Sequence, residues 1–125
     1  METVLIIDSD EGRRDITQAL QEAGFHVFEA ADSVLGVSLM EQDLDVVIMS
    51  EEMPPVGDGG QELLLALRDI SLEAYIIVLG SGDGQVAAQV LYQGADNYVR
   101  RPVNLIELVA RVRAGFRRLR EYAGR

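Results

Sequence analysis

Five short apolar runs, separated by longer segments of mixed character, constrain this chain more than any other feature. They are "TVLIID" (3–8), "FHVFEA" (25–30), "DVVIM" (45–49), "AYIIVL" (74–79) and "NYV" (97–99). Their length, β-branched content and nearly unbroken apolarity are those of strands buried on both faces. Between them apolar residues recur at helical spacing: Ile16, Leu20 and Ala23 before Gly24; Leu63, Leu64, Leu67 and Ile70; Val86, Val90 and Leu91 before Gly94. Each of the two glycines stands where a helix C-terminus favours a residue that tolerates positive φ. The last helix is predicted to start at an Asn104 cap with Glu107 three residues on. It continues with Leu105, Leu108, Val109, Val112, Phe116 and Leu119 on one stripe.

Strands alternating with helices of this length predict a (βα)5 domain, a parallel five-stranded sheet with right-handed crossovers and helices on both faces. The 125 residues suit one domain, without repeat, low-complexity tract or linker, that buries about two-thirds of its unfolded surface. The chain has no cysteine, which excludes disulfides, thiolate metal sites and thiol nucleophiles. The opening "METVLIIDSDE" turns acidic after four consecutive apolar residues, too few for a signal-peptide core and far below the ~20 that span a bilayer. The expected location is therefore the cytoplasm, away from the membrane. A formal charge of −10 makes direct nucleic-acid contact by this domain unfavourable. All 11 basic residues are arginine, a compositional bias that bears on one site position below.

In an open parallel sheet, ligands bind at the carboxyl ends of the strands, where strand order reverses. The residues there are Asp8, Ser9 and Asp10; Ser50, Glu51 and Glu52; Gly80, Ser81, Gly82 and Asp83; and Arg100, Arg101 and Pro102. Clustered acids of this kind hold a hard cation such as Mg²⁺. Equally, they solvate loops and cap helices, as Asp10 could for a helix starting near Glu11. The one histidine, His26, falls in strand 2 and reads as structural. "PPVGDGG" (54–60) reads as a turn-forming loop without nucleotide-binding glycine spacing.

The strand–helix order, "IIDSDE", "MP" beyond strand 3 and "GADNYVRRP" together resemble the receiver domain of bacterial response regulators. "QGADNYVRRPVNLIELVARVRAGFRR" is similar to the winged-helix (OmpR/PhoB-type) class. The resemblance implies a flavodoxin-like doubly wound sheet of order 2-1-3-4-5 and a signalling role rather than an enzymatic one. In such domains an aspartate ending strand 3 accepts a phosphoryl group from a histidine kinase, beside two acids that help bind Mg²⁺. A Thr or Ser after strand 4 and a Lys before the strand-5 proline contact the phosphoryl oxygens, and a strand-5 aromatic reports the state.

Carried over by position, Asp8, Tyr98 and Pro102 match, Pro102 as a candidate for a cis peptide bond. Ser9 replaces the second acid and Ser50 the phosphoacceptor, with Met53 and Pro54 at the usual distance beyond it. Gly80 replaces the Thr/Ser, unless Ser81 supplies the hydroxyl, and Arg101 replaces the lysine. Arginine keeps the charge and is expected to pair with Asp8 by a fork of hydrogen bonds. With Asp8 and at most Asp10 or Glu51 as acids, Mg²⁺ binding is expected to be weak, and no cofactor is assigned.

Ser50 then has three roles open to it: a neutral plug among the acids, an acceptor for a separate Ser/Thr kinase, or the lining of another ligand's pocket. The expectation is an atypical, phosphorylation-independent receiver, part of a transcriptional regulator whose DNA-binding domain lies outside this chain. It would act by partner contact or by dimerising through helix 4, strand 5 and helix 5, with Asp96, Glu107 and Arg111 at interface positions and apolar contacts from Val86, Val90 and Leu91. The alternatives are a Mg²⁺-dependent receiver with an unorthodox acceptor, and a flavodoxin-like small-ligand binder. The last is disfavoured because no phosphate-cradling loop follows strand 1.

Overall fold

Each apolar run becomes one strand of a single parallel sheet in the computed structural model, which describes residues 2–42, 44–53 and 59–123. The strands are β1 (Thr3–Ile7), β2 (His26–Ala30), β3 (Val46–Ser50), β4 (Tyr75–Gly80) and β5 (Asn97–Arg100), in the order β2-β1-β3-β4-β5. They alternate with α1 (Arg13–Glu22), α2 (Ser33–Met40), α3 (Gly59–Ile70), α4 (Gly84–Tyr92) and α5 (Leu105–Ala123). Strand order reverses between β1 and β3, so the chain leaving these two strands opens the crevice where such sheets hold their functional residues.

Side chains alternate across the sheet, and this divides the core in two. Leu5, Ile7, Val47, Met49, Ile76 and Val78 pack with Met40 of α2 and Leu63, Leu64 and Leu67 of α3. Val4, Ile6, Ile48, Ile77, Leu79 and Val99 pack with Ile16 and Leu20 of α1 and Leu108, Val112 and Phe116 of α5. Phe25 and Phe116 stack at 5.4 Å between ring centroids. Ile70, predicted on the apolar stripe of α3, is instead exposed, because the stripe ends with Leu67 as the helix leaves the sheet.

Local chemistry explains most boundaries. Asn104 Oδ1 accepts from the Glu107 backbone N–H at 2.9 Å, the expected cap of α5. Gly24 and Gly94 have φ of 99° and 125°, left-handed conformations that stop α1 and α4. α1 starts at Arg13 rather than near Glu11. The Asp10 carboxylate accepts from Gly12 N–H at 3.1 Å, so it shapes the turn before the helix instead of capping it. α2 is apolar on all sides and has no helical spacing to announce it. Its Asp32 cap, which accepts from Leu35 N–H at 2.8 Å, is the local signal. α4 is capped by Asp83 and has no buried residue, which makes it the most weakly seated helix.

His26 opens β2, exposed and edge-on to Phe28 at 5.1 Å. Of "PPVGDGG", residues 54–58 lie outside the described residues, and Gly59 and Gly60 already belong to α3. Among the described residues no helix is long and apolar enough to cross a membrane.

Candidate functional site

At the carboxyl edge, β1 and β3 lie side by side, with Ile7 opposite Met49. The residues that follow, Asp8 and Ser50, therefore converge, and both are buried, at 2% and 1% exposure. Arg101 reaches them from the end of β5. Its Nη2 donates to Asp8 Oδ2 at 3.0 Å and to Ser50 Oγ at 3.1 Å. The expected fork to Asp8 alone is thus replaced by one nitrogen shared between two oxygens. A neutral hydroxyl at position 50 sits close enough to compete for the guanidinium without repelling Asp8. The Asp8 Oδ1 accepts from Asp10 N–H at 3.0 Å, and Ser50 Oγ from Glu52 N–H at 3.2 Å.

This set fits poorly with a divalent cation. The one buried acid already has a cationic partner on one oxygen and a backbone donor on the other. Ser50 contributes no negative charge, and Ser9 and Asp10 lie exposed at the rim. A Mg²⁺ ion would have to displace Arg101 from Asp8 and bind through one carboxylate among neutral donors. Among the described residues no three Asp, Glu or His side chains come together as a metal cluster.

A second set lies beside the first. Tyr98, half-buried, donates its hydroxyl to Glu51 Oε2 at 2.9 Å and accepts from Gly82 N–H at 2.9 Å. Burial raises the Tyr98 pKa above the ordinary 10.0. The Gly82 N–H opposes this shift, and the Glu51 carboxylate adds to it. Arg100 donates from Nε to the Gly82 carbonyl at 3.0 Å, so β5 holds Gly82 at both its N–H and its C=O. A Cβ on Gly80 would collide with Glu51 Oε2 and Tyr98 Oη. Ser81 is exposed. The part played by Glu51 is not visible in the sequence. The only signal there is an acid directly after position 50, one of several acids at this edge.

The three positions expected at an interface are engaged within the chain. Asp96 accepts from Arg68 Nη2 at 2.7 Å and from Ile76 N–H at 2.8 Å. Arg111 donates to Glu107 at 2.8 Å and to Asn97 Oδ1 at 3.2 Å. The Arg101–Pro102 peptide bond is cis.

A 2-1-3-4-5 parallel sheet with a buried acid after β1 and a basic residue before a cis proline after β5 defines a two-component signalling receiver. The chain belongs to the response regulator receiver domain family, whose model matches residues 4–113. It is 33% identical over 122 residues to the transcriptional regulatory protein CpxR of Escherichia coli, covering 94% of this chain and 50% of that one. It is 32% identical over 121 residues to the DNA-binding dual master transcriptional regulator RpaA of Synechocystis, again with 94% and 50% covered. The chain thus spans about half the length of these relatives. Among solved structures, a receiver domain protein from Clostridium thermocellum superposes with a TM-score of 0.88 at 25% identity, covering 98% of this chain and 99% of that one.

Proposed function

We propose that this domain is a receiver that works without phosphorylation at the end of β3, within a cytoplasmic transcriptional regulator that carries its DNA-binding part on a further domain. The observation that carries this reading is the Asp8–Arg101–Ser50 set, in which a guanidinium and a hydroxyl fill the place where the family's chemistry uses a carboxylate and Mg²⁺. An aspartyl phosphate is an acyl phosphate, close enough in free energy to a phosphohistidine for transfer in either direction, and a seryl ester is not. Ser50 is also 1% exposed, with its oxygen accepting two hydrogen bonds, which favours the plug over an acceptor for a separate kinase. The relatives named as transcriptional regulators support the wider role.

The test adds Mg²⁺ and beryllofluoride, a mimic of the phosphoryl group on a carboxylate, and follows amide resonances around Ser50 and Tyr98. No saturable shift is expected at millimolar Mg²⁺, and such a shift would overturn the reading. The Ser9→Asp/Ser50→Asp double variant should restore a response if the missing ligands are the whole cause.

A further inference from the structure

We propose that Glu51 is a positioning residue which, in the room left by Gly80, holds Tyr98 and the Gly82 N–H together and so fixes the entry to α4 with no phosphoryl group. Gly80 ends β4 fully enclosed, and any Cβ there would overlap both the Glu51 carboxylate and the Tyr98 hydroxyl. The bridge and a side chain at position 80 therefore exclude each other. A serine or threonine at 80, the residue types that the family resemblance implies, would remove the bridge by volume alone, whatever their hydroxyl did.

The bridge ties the Gly82 loop, which has left the sheet, to the two strand ends on either side of β4. Glu51 follows β3, Gly82 lies between β4 and α4, and Tyr98 is on β5. The Tyr98 hydroxyl is saturated, donating to one of these segments and accepting from the other. Glu51 is itself anchored, its N–H donating to the Leu79 carbonyl at 2.7 Å. Helix α4 gives this local arrangement its leverage. With no buried residue of its own, α4 takes its position from its ends, and its N-terminal end starts two residues after Gly82. Holding Gly82 from both sides, through Tyr98 and Arg100, sets where Val90 packs against the core.

This inference rests on the phosphorylation-independent reading but has a separate test. Glu51→Ala and Gly80→Ala are compared with the unmodified domain, with no Mg²⁺ and no beryllofluoride present. Glu51→Ala removes the acceptor at a partly exposed position and should leave the fold intact. Gly80→Ala adds the excluded Cβ and leaves every hydrogen-bonding group in place. Both should shift the Gly82 and Val86 amide resonances and raise hydrogen exchange at Gly82 at least tenfold, and Glu51→Ala, which removes a hydrogen bond and a negative charge that raise it, should lower the Tyr98 phenol titration. Unmoved Gly82 exchange and Tyr98 titration in Glu51→Ala would overturn the proposal, irrespective of how Gly80→Ala behaves. A beryllofluoride response in the unmodified domain would instead count against the wider reading and leave the bridge standing.

Discussion

Arg101 joins Asp8 and Ser50 through a single nitrogen, and this contact sets what the residues around it can do. Asp8 is 2% exposed, so Arg101→Ala would leave a buried carboxylate without its counter-charge. Removing one partner of such a pair costs about 3–5 kcal/mol. Urea unfolding of Arg101→Ala should show a loss of roughly that size, and Ser50→Ala a much smaller one, since a serine hydroxyl carries no charge to strand. Equal losses in the two variants would mean that Asp8 is not stabilised by the guanidinium. At this scale the sequence named most of the participants. Asp8, Ser50, Arg101 and Tyr98 follow from strand ends and from family positions. Glu51 follows from its strand end too, but only as a possible metal acid and not as the partner of Tyr98, because an acid in a row of acids is marked only by what it touches. What Gly80 provides was hidden for the same reason, since a glycine's role there is the space taken up by Glu51 and Tyr98.

Among the elements, the difference between α5 and α4 decides which part of the domain is firm. α5 places Leu108, Val112 and Phe116 in the core and is closed at its start by Asn104. Asn104→Ala should cost about 1 kcal/mol, read from the denaturation midpoint, with little change in the slope. An unchanged midpoint would show that the first turn of α5 draws nothing from its cap. α5 was readable from its stripe and its cap, and the strands from their apolar runs. α2 was required by the alternation but not visible in it, because "SVLGVSLM" is apolar on all sides and its period cannot be read. The start of α1 was misplaced by the versatility of Asp10, whose carboxylate serves a turn as readily as a cap.

For the whole molecule, the question is what surface remains to carry a signal. Asp96 is clamped by Arg68, which also donates to the carbonyls of Ala74 at 2.6 Å and Gly94 at 2.8 Å, tying α3 to the starts of β4 and β5. Arg111 is engaged by Glu107 and Asn97. The polar groups expected across a dimer thus have partners inside the chain, and sequence spacing could not reveal this because Arg68 lies 28 residues from Asp96. A dimer through α4, β5 and α5, expected from the sequence with apolar contacts from Val86, Val90 and Leu91, would then rest on Leu91, 43% exposed, and the neighbouring Tyr92, 93% exposed, since Val86 and Val90 are partly buried. Leu91→Asp should make a concentration-dependent dimer monomeric in sedimentation equilibrium. A domain that is already monomeric at high concentration, or a variant that still dimerises, would remove this surface from the proposal.

Arg101 has one more consequence. Under the proposed reading, a pocket whose buried carboxylate is already paired with its own arginine and whose strand-3 end is a serine gives a kinase nothing to phosphorylate, so its state does not follow the phosphorylation level of the cell. Under that reading the number of copies becomes a variable that matters. Any association with a second copy or another partner would then follow concentration by mass action.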